Sequence, residues 1–533
     1  MKSNSKSNIA KQGSILAIAA LISRLIGFIY RVPLTDKIGD IGNSYYASAF
    51  IVYNFFLTIS SYGIPLAMSK LISERYALKQ YRNAHRVYKV SMLFCVLGGL
   101  ISSIIIWFGA SSIASFWKIP EMKYCLFVLS PTIFIVSIMS VYRGYFQGMK
   151  TMIPTGISQV VEQIFNAIFS VVFAYLLFNK GVEYAAAGGL VGTGIGALTG
   201  LIFLITTYII VYKNKIKPRL IINRNSESEE AYKEIFKNLI YIIVPIILCS
   251  AIAVIINMVD TTMLMKGLSL LKYSEYKSSE LYGIYQGKYI LLTNLPIAIA
   301  TAIATASVPS LATSVLVDTK KEVNEKINLV FRFTMLITIP ASIGLMVLAK
   351  PILMLLFHNY PEGAKLLQFG SVSVIFFALI QITTGILQSI GKFYEPTKNF
   401  IYGLLIKVIL NFIFIFILDI NIYGLVVSTN IFAIIVAILN IRSIKNNLDI
   451  ILHVKKFTMK VLFSAIIMGI ACILVYKGIG LFMGNNFPAI LAIILGVVVY
   501  MFTLLKNKVI TKEEIVMLPK GNKLLKIVNK LGI

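Results

Sequence analysis

Ser14-Ile-Leu-Ala-Ile-Ala-Ala-Leu-Ile-Ser-Arg24-Leu-Ile-Gly-Phe-Ile-Tyr-Arg-Val32 settles the class of this chain. It is an unbroken apolar run with a single arginine near its middle. At 1.5 Å per residue, about 20 such residues span the roughly 30 Å hydrocarbon layer of a bilayer as a helix. No small-residue cleavage site follows the run, and a charge sits inside it, so it reads as a span rather than a signal. Similar runs recur to the C-terminus, at about 13–33, 45–67, 90–112, 123–146, 153–178, 185–211, 238–264, 282–308, 328–349, 366–390, 398–418, 421–441, 457–477 and 486–505. The expectation is an all-α polytopic membrane protein of about fourteen transmembrane helices. No stretch alternates with period two over strand length, which argues against a closed barrel.

Composition agrees with that reading. Of the 533 residues, 58% are hydrophobic and 14% charged, against roughly 25% charged in a typical soluble domain. Lys and Arg number 50 against 22 acids. In a soluble protein this excess would suggest nucleic acid. Here the cations crowd the short segments between apolar runs, as the positive-inside rule requires of cytoplasmic loops. Both termini and 213–237 are therefore expected on the cytoplasmic side of the membrane that holds the chain. Cys95, Cys125, Cys249 and Cys472 are far apart in the sequence, as are His85, His358 and His453. No metal spacing is present, and no cofactor is expected.

The longest hydrophilic stretch, 213–237, reads as a linker between two six-span lobes, 1–212 and 238–445. Two extra spans follow over 446–505, then a basic amphipathic cytoplasmic tail, 506–533, suited to anionic lipid. The lobes look like diverged repeats. Gly144 to Gln147 followed by Pro154-Thr155 recurs as Gly385 to Gln388 followed by Pro396-Thr397. Pro65 and Pro296 also correspond. A 6+6 repeat predicts a substrate path between the halves. Gly192, Gly196 and Gly200, four apart inside a span, read as a close-packing face. They are no nucleotide loop, since they lack the lysine and the strand–turn–helix setting.

Charges inside spans carry the functional reading, because each costs roughly 2.5–3.5 kcal/mol at the bilayer centre on insertion scales. Arg24 is mid-span, and Arg31 lies further out. Gln159, Glu162, Gln163 and Asn166 share one face of the fifth span. Asn399, Gly403, Lys407 and Asn411 repeat every four residues in the eleventh. Lys288, Arg332 and Asp260 complete the set. Arg24, Lys288, Arg332 and Lys407 outnumber Glu162 and Asp260, which suits an anionic substrate such as a diphosphate. The expected substrate-binding residues are Arg24, Arg31, Gln159, Glu162, Lys288, Lys407 and Asn411. Glu162 and Asp260 are candidates for coupling to a monovalent cation. No catalytic residues are expected; the chain reads as a transporter rather than an enzyme, with neither nucleic acid nor nucleotide as partner.

Several segments carry a family resemblance: Ser23 to Phe28, Gly63 to Glu74, Arg143 to Gly148, Pro154 to Gln163, Leu295-Pro296, Gln388, and Lys407 to Asn411. In them the chain resembles the stage V sporulation protein B-like polysaccharide and lipid II flippase branch of the multidrug/oligosaccharidyl-lipid/polysaccharide exporter superfamily. The resemblance runs through both halves. It implies fourteen helices in two lobes and outward movement of undecaprenyl-diphosphate-linked sugars or peptidoglycan precursor, in cell-wall or sporulation biology, among membrane lipids. Two departures stand out. Lipid II flippases of the Gram-negative kind carry charges in the second span, where Asn54 to Tyr62 has none, and a base about five residues before the span-8 proline, where Leu291 stands with Lys288 one turn away. The alternative is a cation-coupled multidrug exporter of the same fold.

Overall fold

The computed structural model describes residues 2–222, 229–317, 319–358, 361–392, 394–448, 454–507 and 509. Among these residues it is helical throughout, with no strand. Most of the basic tail and residues 223–228 of the linker lie outside the described residues.

Contacts divide the chain into two compact units. One is Met1–Gly287 with Leu404–Leu425; the other is Lys288–Gly403 with Val426–Ile533. This division differs from the lobe boundaries that hydrophilicity suggests, since it leaves the seventh span with the first six.

In the first unit, α1 (Lys2–Leu57) is interrupted at Gly39, where φ 66° and ψ −175° leave the helical region. Glycine tolerates that conformation without a Cβ clash. A 56-residue helix would be about 84 Å long, nearly three hydrocarbon thicknesses, so the break separates two crossings. A π-turn at Thr58–Tyr62 leads into α2 (Ile64–Ala77). Pro65 sits in the first turn of α2, where its missing N–H would have had no partner anyway. Then come α3 (Tyr81–Phe116), α4 (Met122–Gly148), α5 (Ile153–Leu177), α6 (Val182–Val211), the short α7 (Lys217–Ile222), α8 (Tyr232–Leu270) and α9 (Glu275–Ile284).

Helices α2, α3, α4 and α8 each end on a lysine in the left-handed region: Lys79, Lys118, Lys150 and Lys272. In each case the next residue's N–H returns to the carbonyl five residues back, for example Thr151 to Phe146 at 3.0 Å. These are Schellman caps with lysine in the usual glycine position. The ammonium at the negative end of the helix dipole offsets part of the left-handed cost. The cap at Lys150 recurs at Gly391: Lys150 N–H donates to Gln147 and Gly391 N–H to Gln388. Both are displaced by 241 positions (388 − 147 and 391 − 150), the offset of the sequence repeat.

In the second unit, a π-turn at Tyr285–Ile290 leads into α10 (Leu291–Val317). Helix α11 (Lys320–Val347) starts with a capping box made by Thr319 and Glu322. Next are α12 (Ala349–Leu356) and the pair α13 (Ala364–Gly370) and α14 (Ser373–Ser389), bent by 44°. Then follow α15 (Tyr394–Asn411), α16 (Asn421–Leu448), α17 (Val454–Gly480) and α18 (Asn486–Lys506). The C-terminal half of α15 and the start of α16 belong to the first unit. Met335, Ile339, Val461, Ala465, Met468, Ala492 and Leu504 form a shared core of α11, α17 and α18. The Tyr500 hydroxyl pins α18 to the Leu336 carbonyl at 2.8 Å.

Among the described residues, twelve helical stretches are long and apolar enough to cross a bilayer, and thirteen with the bent α13–α14 pair. The first of them, Ile18–Ala77, is 60 residues long and contains the Gly39 break; read as two crossings, it brings the number close to the expected total of about fourteen.

Candidate substrate-binding site

Two polar centres lie within the first unit, and their geometry sorts the intramembrane charges. One is built on α1, α4 and α5. Ile18, Ile22, Leu25 and Ile29 make an exposed apolar stripe on α1. At 100° per residue, Arg24 points about 130° away from that stripe, on the same side as Gly27 and Arg31. The stripe suits lipid. The face with Arg24 presents small and basic residues instead.

That face is set against α5. A Cβ on Gly156 would lie 3.1 Å from the Cβ of Ala19, and one on Gly27 would lie 3.7 Å from Oε1 of Gln163. The two helices therefore run in the same direction, and Ser23 and Gln159 fall at one level. Ser23 Oγ and Gln159 Oε1 are both buried without a hydrogen-bond partner. Buried polar atoms normally have one, so this level of the α1–α5 contact keeps unused hydrogen-bonding capacity beside the exposed Arg24.

Helix α5 owes its position to α6. A Cβ on Gly192 would come within 2.2 Å of the Ser170 backbone nitrogen, and one on Gly196 within 2.5 Å of the Glu162 carbonyl. The glycine face lets two backbones meet closely, as small residues do in membranes. Asn166, read from the sequence as part of a polar face with Gln159 and Glu162, turns into the packing. It donates to the Tyr30 hydroxyl at 3.3 Å and accepts from Ser170 at 2.8 Å.

Glu162 has a partner that the sequence reading overlooked. Arg143 of α4 meets its carboxylate at 2.7 Å and donates through Nε to Ser158 at 3.1 Å. Both side chains are less than a fifth exposed. A signal for this existed. Helices α4 and α5 form a hairpin that turns near Lys150, and 143 and 158 lie equally far from about position 150. Arg143 also falls inside the fourth apolar run and belonged among the intramembrane cations. Arg31 stands over the Tyr46 ring at 4.2 Å, a cation–π contact spanning the Gly39 break.

The second centre joins α8 and α15. Lys407 Nζ donates to Asp260 at 2.5 Å, and Asn411 Nδ2 donates to the other carboxylate oxygen at 3.0 Å. All three residues are buried. The sequence named Lys407 and Asn411 as substrate contacts and Asp260 as a candidate for cation coupling; the structure joins the three in one buried cluster. Each acid named as a candidate for cation coupling thus already holds a cation of the protein itself.

In the second unit, Lys288 is almost fully buried in the π-turn before α10, 3.7 Å from the carboxylate of Glu362, which is itself exposed. Arg332 donates to the Val509 carbonyl at 3.2 Å and lies over the Phe457 ring. These contacts fit the end-of-span position that its sequence suggests.

Residues 9–315 match the family described as "Polysaccharide biosynthesis protein". The chain is 27% identical over 416 residues to the lipid II flippase MurJ of Bacillus subtilis (strain 168), covering 74% of this chain and 75% of that one. It is 24% identical over 521 residues to stage V sporulation protein B of the same organism, covering 96% and 98%. Its fold is similar to the structure titled "Lipid II flippase MurJ, inward closed conformation", with a TM-score of 0.66, 18% identity, and 92% and 97% of the two chains covered. The family match takes in more than half of the sequence, and the chain belongs to the polysaccharide biosynthesis protein family of membrane transporters.

Proposed function

We propose that the chain is a flippase. By alternating access, it would carry an undecaprenyl-diphosphate-linked oligosaccharide or peptidoglycan precursor from the cytoplasmic to the outer face of a bacterial cell membrane. Its relatives named for lipid II and for sporulation supply the substrate class. The structure's own support is the level of α1 and α5 that carries Arg24, Ser23 and Gln159. A guanidinium offers a planar fork to phosphate oxygens. A hydroxyl and an amide with open capacity next to it suit a headgroup in which phosphates adjoin sugar hydroxyls. Arg24 is the principal diphosphate contact. Arg143 holds Glu162 in a neutral pair, so the acid does not repel that anion. Lys407 and Asn411 act through Asp260 as a packing centre, and Lys288 serves the second unit.

The drug-exporter alternative calls for carboxylates available to a cationic cargo. Glu162 and Asp260 are each engaged by a base, which favours the anionic cargo. Both termini are assigned to the cytoplasm on the distribution of Lys and Arg.

The test is binding of a polyprenyl diphosphate to the purified full-length protein in detergent, against a neutral polyprenol. The diphosphate is expected to bind at least tenfold more tightly. Arg24→Ala should remove most of the difference, and Arg24→Lys should remove much of it too, because an ammonium keeps the charge and forfeits the bidentate fork. Equal affinity for the two lipids, or full diphosphate preference in Arg24→Ala, overturns the reading.

A further inference from the structure

A second cluster of cations lies away from this centre, where α2 turns into α3. Arg75 is in the last turn of α2 and only 8% exposed. Its Nε and Nη2 both engage the Glu230 carboxylate, Nε at 2.9 Å, and Nη1 donates to the Leu71 carbonyl at 2.9 Å. Arg82 and Arg86, in the first two turns of α3, both pair with Glu229. Arg86 also donates to the Glu230 carbonyl at 2.6 Å, and the Glu230 N–H donates to Asn83 Oδ1 at 3.1 Å.

Three features mark this as an anion site rather than a scatter of surface pairs. First, a nearly buried guanidinium needs an anion, because the desolvation cost is otherwise uncompensated. Second, the contacts include a bidentate fork, the geometry that carboxylate and phosphate share. Third, what fills the cluster is two adjacent monoanionic groups, one on Arg75 and one on Arg82 and Arg86, leaving one positive charge in excess. Two adjacent monoanions are the charge pattern of a diphosphate diester. The site also lies at the right depth. Helix α3 has 36 residues, about 54 Å, and its apolar run begins only at about position 90, so its first turns fall outside the roughly 30 Å hydrocarbon layer, at headgroup level.

We infer that Arg75, Arg82 and Arg86 form a second diphosphate-binding site, a capture site for the lipid-linked substrate at the membrane surface, and that Glu229 and Glu230 occupy it as an intramolecular competitor. This part of the hydrophilic linker thus imitates the ligand, and substrate must displace it. This inference rests on the substrate class proposed above. If the clasp is closed in about nine molecules of ten, the apparent affinity of the site is lowered about tenfold, and removing the clasp restores it.

The test titrates full-length protein in detergent with a polyprenyl diphosphate and, separately, with inorganic pyrophosphate. Glu229→Gln/Glu230→Gln should bind the polyprenyl diphosphate about tenfold more tightly than the parent. Glu229→Gln alone, which keeps the Arg75–Glu230 fork, should move the same way and serves if the double variant folds poorly. Adding Arg82→Gln/Arg86→Gln should abolish the gain. Arg24→Ala should leave the gain intact, which separates this site from the first. No gain in a clasp variant that melts like the parent overturns the inference, and so does a gain confined to inorganic pyrophosphate. In either event, a loss of diphosphate preference in Arg24→Ala would leave the flippase reading standing.

Discussion

Lys407→Met tests whether Lys407 is a ligand contact or half of a structural pair, two roles that the sequence alone could not separate. In the structure its ammonium is 2.5 Å from Asp260, with side-chain exposures of 3% and 6%. Removing one member of such a pair leaves a buried charge and costs about 3–5 kcal/mol, whereas replacing both by apolar groups of similar volume is often neutral. Lys407→Met and Asp260→Leu should therefore each be severe, and the double variant close to the parent. A polytopic protein of this size unfolds irreversibly in practice, so the readout is a half-life at fixed temperature in detergent. At about 1.4 kcal/mol per factor of ten, a loss of 3 kcal/mol from the native state shortens that half-life by about a hundredfold. Size-exclusion recovery of the folded protein over time measures it. The reasoning fails if Lys407→Met is as durable as the parent and has only lost binding, or if the double variant is as short-lived as the singles.

Two further outcomes follow from the geometry. A Cβ on Gly283 would come within 1.6 Å of the Asp40 carbonyl oxygen, so α9 cannot approach α1 in Gly283→Ala without a backbone shift. Overpacking of this kind costs about 1–3 kcal/mol or more. Folded yield should drop, while Gly478→Ala, where a Cβ meets nothing within 4 Å, should leave yield unchanged. Cysteines introduced at Ser226 and at the exposed Tyr276 should react with an impermeant reagent from opposite sides of the membrane; labelling from the same side would refute the proposed topology.

Most of the fold was legible because crossing a membrane is a local demand. Each apolar run must satisfy its own backbone as a helix, so run length alone placed a helical stretch on every expected span. The Gly39 break and the bent α13–α14 pair show where a run is not one straight helix. The repeat was legible through Gln147 and Gln388 because both precede a helix cap that the structure also repeats. The site was harder to read. Sequence gives the depth of a charge but not its partner, and a charge's role depends on the partner. Arg24, Glu162, Asp260 and Lys407 were all found by depth. The spacing of the α4–α5 hairpin pointed to Arg143 as a neighbour of α5, but only the packing of α8 on α15 shows that Asp260 belongs with Lys407. The clasp on Arg75 was the least legible part. Glu229 and Glu230 lie about 150 positions from their arginines, in a stretch whose composition marks only a linker.

The two internal pairs also bear on how a membrane potential acts on this protein. Arg143 with Glu162 and Lys407 with Asp260 are each electrically neutral. However far such a pair moves along the membrane normal, the field does opposite work on its two members. Those four charges therefore contribute almost nothing to voltage dependence. A diphosphate diester headgroup, with about two negative charges, has no such compensation. At about 2.3 kcal/mol per charge per 100 mV, an inside-negative potential would favour its outward passage by about 4.6 kcal/mol. With its deep acids neutralised within the protein, the proposed flippase would draw its direction from the charge of its cargo.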